Sequence, residues 1–189
     1  MRSKLKLILL AAIVPAVLFY ACKKYEDPAR PDIGNGLDGR YYCNDPKAIN
    51  YNWNFPGHPD NTICIYPVDS FLGTWAFKDY VLLPNGDTDA VVDRMLTFVS
   101  TEDSVERHLA VTGWCGSNTP FYLTATKYGK AEVDTLPGGS PGQFLCVTTD
   151  TLNGKFLKSA YQSGDSMKVD LSVSDVDGIK YHKGIAIKQ

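Results

Sequence analysis

Histidine is scarce in this chain: His58, His108 and His182 are all there is, and no two stand at metal-ligand spacing. The signatures of a nucleophile elbow, a P-loop, a dinucleotide fingerprint and a zinc protease are also missing. Clustered basic residues are lacking as well. The 19 Lys and Arg face 21 Asp and Glu for a net charge of −2, and a mildly acidic chain offers no electrostatic footprint for nucleic acid. These absences point to a protein with no metal, no cofactor and no nucleic-acid partner, and the expectation is that it is not an enzyme. The 21 carboxylates guarantee that some pair lies close in space, which without geometry is no evidence for glycoside hydrolysis; a hydrolase-type enzyme stands as the second alternative. Long apolar runs are equally few. The longest is Leu7 to Ala21, preceded by Arg2, Lys4 and Lys6. As a helix it would measure about 22 Å at roughly 1.5 Å per residue, short of a bilayer core of about 30 Å.

A basic head, a short apolar middle and a small residue at the cut describe a secretory signal over residues 1–21. With Cys22 directly after Ala21, the stretch resembles a bacterial lipoprotein signal, which implies that Cys22 is acylated, with palmitate-type chains, as the first mature residue. Because the leader holds three basic and no acidic residues, its removal takes the net charge from −2 to −5. Residues 22–42 mix charges, prolines and glycines without periodicity and read as a flexible tether. Its start, Lys23-Lys24-Tyr25-Glu26-Asp27, resembles the surface-export tag of lipoproteins from Bacteroidetes-type bacteria. The resemblance implies an outer-membrane, lipid-anchored protein on the cell surface, with the periplasmic face as the alternative.

Four cysteines remain, and in an exported chain an even number implies disulfides. Four cysteines permit three connectivities. Cys43–Cys64 and Cys115–Cys146 are favoured, because each pair brackets one compact segment. Residues 43–67 form a small cysteine-bracketed module. Cys43, Asp45, Pro46, Ala48, Asn50, Tyr51, Asn52 and Cys64 make it similar to a short repeat common in secreted proteins of the same bacteria. Asp45, Asn50, Asn52, Asp60 and Asn61 lack the alternation and the bidentate Glu of a calcium loop, so turn and capping duty is expected of them. Tyr51, Trp53 and Phe55 are expected to pack on the neighbouring domain; the alternative is an exposed aromatic patch.

Residues 69–189 alternate between short strand-like runs and turn signals. Met167, Val169, Leu171 and Val173 share one side of a strand, and Ile179, Tyr181, Ile185 and Ile187 share one side of the next, with Asp177-Gly178 as the hairpin between. Earlier strands are predicted over residues 74–83, 94–100, 105–115, 121–128, 131–136, 143–152 and 155–162, with Asn153-Gly154 as the turn between the last two. Eight or nine antiparallel strands indicate an all-β up-and-down barrel or a sandwich. Phe71-Leu72-Gly73-Thr74-Trp75 resembles the opening of the lipocalin-like (calycin) families. In those families Gly73 would permit a tight bend and Trp75 would plug the closed end, stacked by a late basic residue, either Lys183 or Lys188. The resemblance favours the barrel.

The function expected is that of a lipid-anchored, non-enzymatic protein whose partners are the membrane and a small apolar ligand held in or at the barrel. The first alternative is a surface scaffold, adhesion or glycan-interaction protein with a filled barrel; nothing sets the oligomeric state. Finally, Asp-hydroxyl-aliphatic triplets at Ser104, Thr135, Thr151 and Ser166 resemble an O-glycosylation acceptor motif of exported proteins of these bacteria.

Overall fold

The computed structural model describes residues 39–52, 56–101, 106–116, 119–135, 142–158 and 165–189. The leader, Cys22, the tether as far as residue 38, Trp53, Phe55 and Ser104 lie outside the described residues. Tyr41–Gln189 is one compact unit that contains both the module and the barrel.

The module holds two short parallel strands, β1 (Tyr41–Tyr42) and β2 (His58–Pro59). Cys43–Cys64 closes it over a separation of 21 residues. Few apolar side chains are available to order it, so polar side chains do the work. Asn50 donates to Ile63 O and accepts from Ile65 N–H, both at 2.8 Å. Asp60 caps the 3-10 turn at Thr62, and Asn61 accepts from Asn44 N–H. Asp45 accepts from Lys47 N–H at 2.9 Å and from the Tyr66 hydroxyl at 3.0 Å. The Lys47 bond, helped by Tyr66, holds the Asp45 carboxyl below the usual carboxylate range, and the same carboxylate pushes the Tyr66 phenol up. Turn and capping duty thus accounts for Asp45, Asn50, Asp60 and Asn61.

The barrel is built from β3 (Gly73–Leu82), β4 (Thr88–Ser100), β5 (His108–Thr112), β6 (Phe121–Ala125), β7 (Lys130–Val133), β9 (Thr151–Leu157), β10 (Ser166–Asp175) and β11 (Gly178–Lys188). Each strand pairs antiparallel with the next of these eight, and β11 pairs with β3 to close the wall. The short β8 (Gln143–Phe144) is an extra strand on β9. The all-β, antiparallel, up-and-down barrel is therefore the observed architecture.

Two local expectations change. Residues 143–152 are not one strand: the chain turns at 146–149, and Asn153-Gly154 lies inside β9 rather than in a turn. Gly154 is required there by a close approach of backbones. At its φ of +127°, an added Cβ would lie 2.3 Å from Asp170 O. The second change concerns β11, whose Ile179, Tyr181, Ile185 and Ile187 side is the outer one. Residues directly opposite in an antiparallel pair share a face. Leu171, Val169 and Met167 point inward, so their partners His182, Gly184 and Ala186 must do the same. Strong alternation identifies the two sides of a strand without saying which is buried.

The interior is filled along its length by aromatic rings. Trp75 contacts Phe98 (6.5 Å between centroids), Phe98 contacts Phe156 (5.3 Å) and Phe156 contacts Phe121 (6.3 Å). Phe121 meets Trp114 (6.3 Å), which in turn touches Phe77 and His182. At one end Trp75 is fully buried and donates its indole N–H to Phe71 O at 2.7 Å. Lys188 and Lys158 lie over its ring at 5.7 and 5.3 Å, whereas Lys183 lies over Tyr181 on the outer wall. Burial, and then the neighbouring Lys188, push the Lys158 ammonium down. At the other end Trp114 is the plug. Cys115–Cys146 ties its loop to the turn after β8 across 31 residues, a link that stabilises by about 3–4 kcal/mol in the chain-entropy picture.

Candidate functional site

Two places concentrate polar chemistry. The first is inside the barrel, beneath Trp114. Asp79 lies on the inward side of β3 in step with Trp75, Phe77 and Val81, and Arg94 lies on the inward side of β4 in step with Leu96 and Phe98. The Asp79 Oδ2 accepts from Arg94 Nε and is 2.8 Å from His182 Nδ1, also at 2.8 Å from the arginine. Asp79 is fully buried, and its Oδ1 has no hydrogen-bond partner among the described residues. The Arg94 guanidinium lies 4.1 Å from the centre of the Trp114 ring, and His182 meets the same ring edge-on at 5.0 Å. Among the described residues no hydroxyl or thiol is hydrogen-bonded to His182, whose ring nitrogen faces the Asp79 carboxylate. The evident work of this cluster is to anchor the tryptophan that closes this end.

The second place is on the outer wall. β7 pairs with the last part of β9 (Glu132↔Lys155, Ala131↔Phe156, Lys130↔Leu157), while β8 pairs with its first two residues. Asn153 and Gly154 fall between, and Gly154 N–H takes the Asn153 side chain at 2.7 Å instead of a neighbouring strand. Gln143 laces the adjoining stretch of wall. Its amide accepts from Tyr122 N–H at 2.8 Å and donates to Tyr122 O at 2.6 Å and Asp134 O at 3.3 Å. The resulting dent is a groove of about 530 Å³ with Gly154 at its floor and Glu132, Asn153, Lys155, Asp170, Ser172 and Tyr181 around it.

The charges of this groove are ordered by strand register. Glu132, Lys155, Asp170 and Lys183 form one cross-strand row, alternating in sign. Glu132 is paired with Lys130 at 3.0 Å and Asp170 with Lys183 at 3.9 Å. Lys155, in the middle, has no ion-pair partner among the described residues. The next row is Asn153, Ser172 and Tyr181. The groove thus presents hydrogen-bond acceptors, donors and one aromatic ring within a volume typical of small-molecule sites, roughly 300–1,000 Å³.

Of the residues singled out from the sequence, Thr135 is exposed and lines this groove, Thr151 is half-buried at the start of β9, and Ser166 is exposed at the start of β10. Gly73 and Trp75 sit at the opposite, plugged end. The polar groups that meet in the two places were not foreseen as sites. Asp79 and Arg94 carried a usable signal, since each is a charged residue at a core-facing position of a strand. No comparable signal marks the groove, which arises from where β7 and β8 leave β9. No protein-family model matches the chain, and neither a curated protein nor a solved structure matches it.

Proposed function

We propose that this protein is a lipid-anchored, non-enzymatic binding protein of the outer membrane, held through Cys22 and engaging its ligand on the outer wall of a filled barrel. The observation that carries this reading is the aromatic column: rings from Trp75 to Trp114 occupy the axis where an interior ligand would sit. An eight-stranded barrel has room either for its own side chains or for one small ligand. This interior is taken by Phe77, Phe98, Phe121 and Phe156, each no more than 1 % exposed. Polar groups able to recognise a ligand are grouped on the outside instead, around the groove beside Gly154.

The reading is tested by titrating the full chain with a long-chain fatty acid and a retinoid while following tryptophan emission. The expected result is no saturable one-to-one binding; stoichiometric quenching would put the ligand inside and overturn the outer-wall reading. The tether is tested separately. Cys22→Ser is expected to move the protein from the membrane fraction to the soluble fraction of the native host, because several acyl chains together make such an anchor stable. Retention of the variant in the membrane fraction would remove the lipid anchor from the account.

A further inference from the structure

Resting on the outer-wall reading, we infer that the groove beside Gly154 is a saccharide site, and that its ligand is an uncharged sugar ring. Glu132 and Asp170 are acceptor-only groups when ionised, with more lone-pair positions than their lysine partners use, and they are suited to pairs of hydroxyl protons. Lys155 offers donors that no carboxylate claims among the described residues, and Asn153 and Ser172 add groups of both kinds. Tyr181, 37 % exposed at the groove, offers an aromatic surface for the C–H side of a sugar once the long Lys183 side chain, whose ammonium lies over the ring at 5.7 Å, swings aside.

Other ligand classes fit less well. An anion would meet Glu132 and Asp170, and a cation would meet Lys155 set between them. A metal ion is disfavoured for the same reason, since the lysine separates the two carboxylates along the row. An apolar molecule would strip water from three charged groups without replacing their hydrogen bonds. An added β-strand needs a run of unused backbone groups. Among the described residues the stretch of β9 that pairs with neither β7 nor β8 is Asn153 and Gly154, and Gly154 N–H is already bonded to the Asn153 side chain. A polyol with alternating donors and acceptors satisfies the charged groups and leaves each of them partly hydrated.

The test is amide NMR of the isotopically labelled full chain in detergent micelles, titrated with the methyl glycosides of glucose, galactose, mannose and xylose, and with galacturonate and glucosamine as charged counterparts. The expected result is a saturable shift at Asn153, Lys155, Ser172 and Tyr181 with at least one neutral glycoside, with a dissociation constant of about 1 mM. Tyr181→Ala and Asp170→Asn should each weaken this by about tenfold, whereas Tyr181→Phe, which keeps the ring, should retain it. Glu132→Gln, a change on an exposed side chain, should weaken binding likewise. If galacturonate or glucosamine binds the groove more tightly than every neutral glycoside, the uncharged-ligand assignment is overturned. Silence at the groove with all the sugars at tens of millimolar overturns the saccharide site and leaves the outer-wall reading standing. Shifts confined to Phe98, Phe121 and Phe156 would overturn the outer-wall reading itself.

Discussion

Replacing Phe156 with alanine is expected to lower the stability of the barrel by about 3–5 kcal/mol, the usual cost of deleting a buried aromatic ring. Phe156 is fully buried on β9 and is the link between Phe98 and Phe121, so its removal interrupts the column near its middle. For a domain of this size the loss corresponds to a fall in Tm of roughly 6–20 °C. The measurement is thermal or urea unfolding followed by tryptophan emission. A second readout accompanies it: the dry apolar hole left behind should take up benzene, which the parent should not bind. A cost below about 1 kcal/mol would mean that Phe156 lines a space that was already open, contrary to a packed column.

The second large effect concerns the cluster under Trp114. Arg94→Met is expected to cost about 3–5 kcal/mol, because it leaves the fully buried Asp79 carboxylate with His182 as its one hydrogen-bond partner among the described residues. Replacing all three polar groups together, Asp79→Leu with Arg94→Met and His182→Leu, should recover most of that loss, since no buried charge then needs a partner. Urea titrations of the parent, the single and the triple variant decide the matter. Equal losses in the single and triple variants would show that packing around Trp114, rather than charge pairing, sets the energy here.

The main lines of the barrel can be read from strand alternation. Met167, Val169, Leu171 and Val173 share one side of a strand in the sequence and that side is the inward one, and the turn signal at Asp177-Gly178 coincides with the β10–β11 hairpin. Reading fails where two physical demands give the same local pattern. Asn153-Gly154 has the composition of a turn, yet the glycine serves a close backbone approach within a strand, which only the register to Asp170 and Leu171 explains. The β11 side that carries Ile185 and Ile187 is more apolar than the side that carries His182, Gly184 and Ala186. Space at Gly184 decides the matter, since a Cβ there would lie 2.1 Å from Lys78 O and 3.1 Å from the Phe77 ring. The buried Asp79 cluster was legible in principle from parity alone. The groove was not, because it depends on where two strands stop pairing with a third.

Closure of the wall also bears on how the chain reaches its native state. The seam is the ladder between β3 and β11, which joins Trp75 to Lys188, the first long strand to the last. Until β11 has been made and has arrived, β3 presents an open row of backbone groups that any other extended segment could occupy. Pairing so distant in sequence is slow to nucleate, so assembly should be limited by this one late step, with the incomplete chain prone to self-association in the interval.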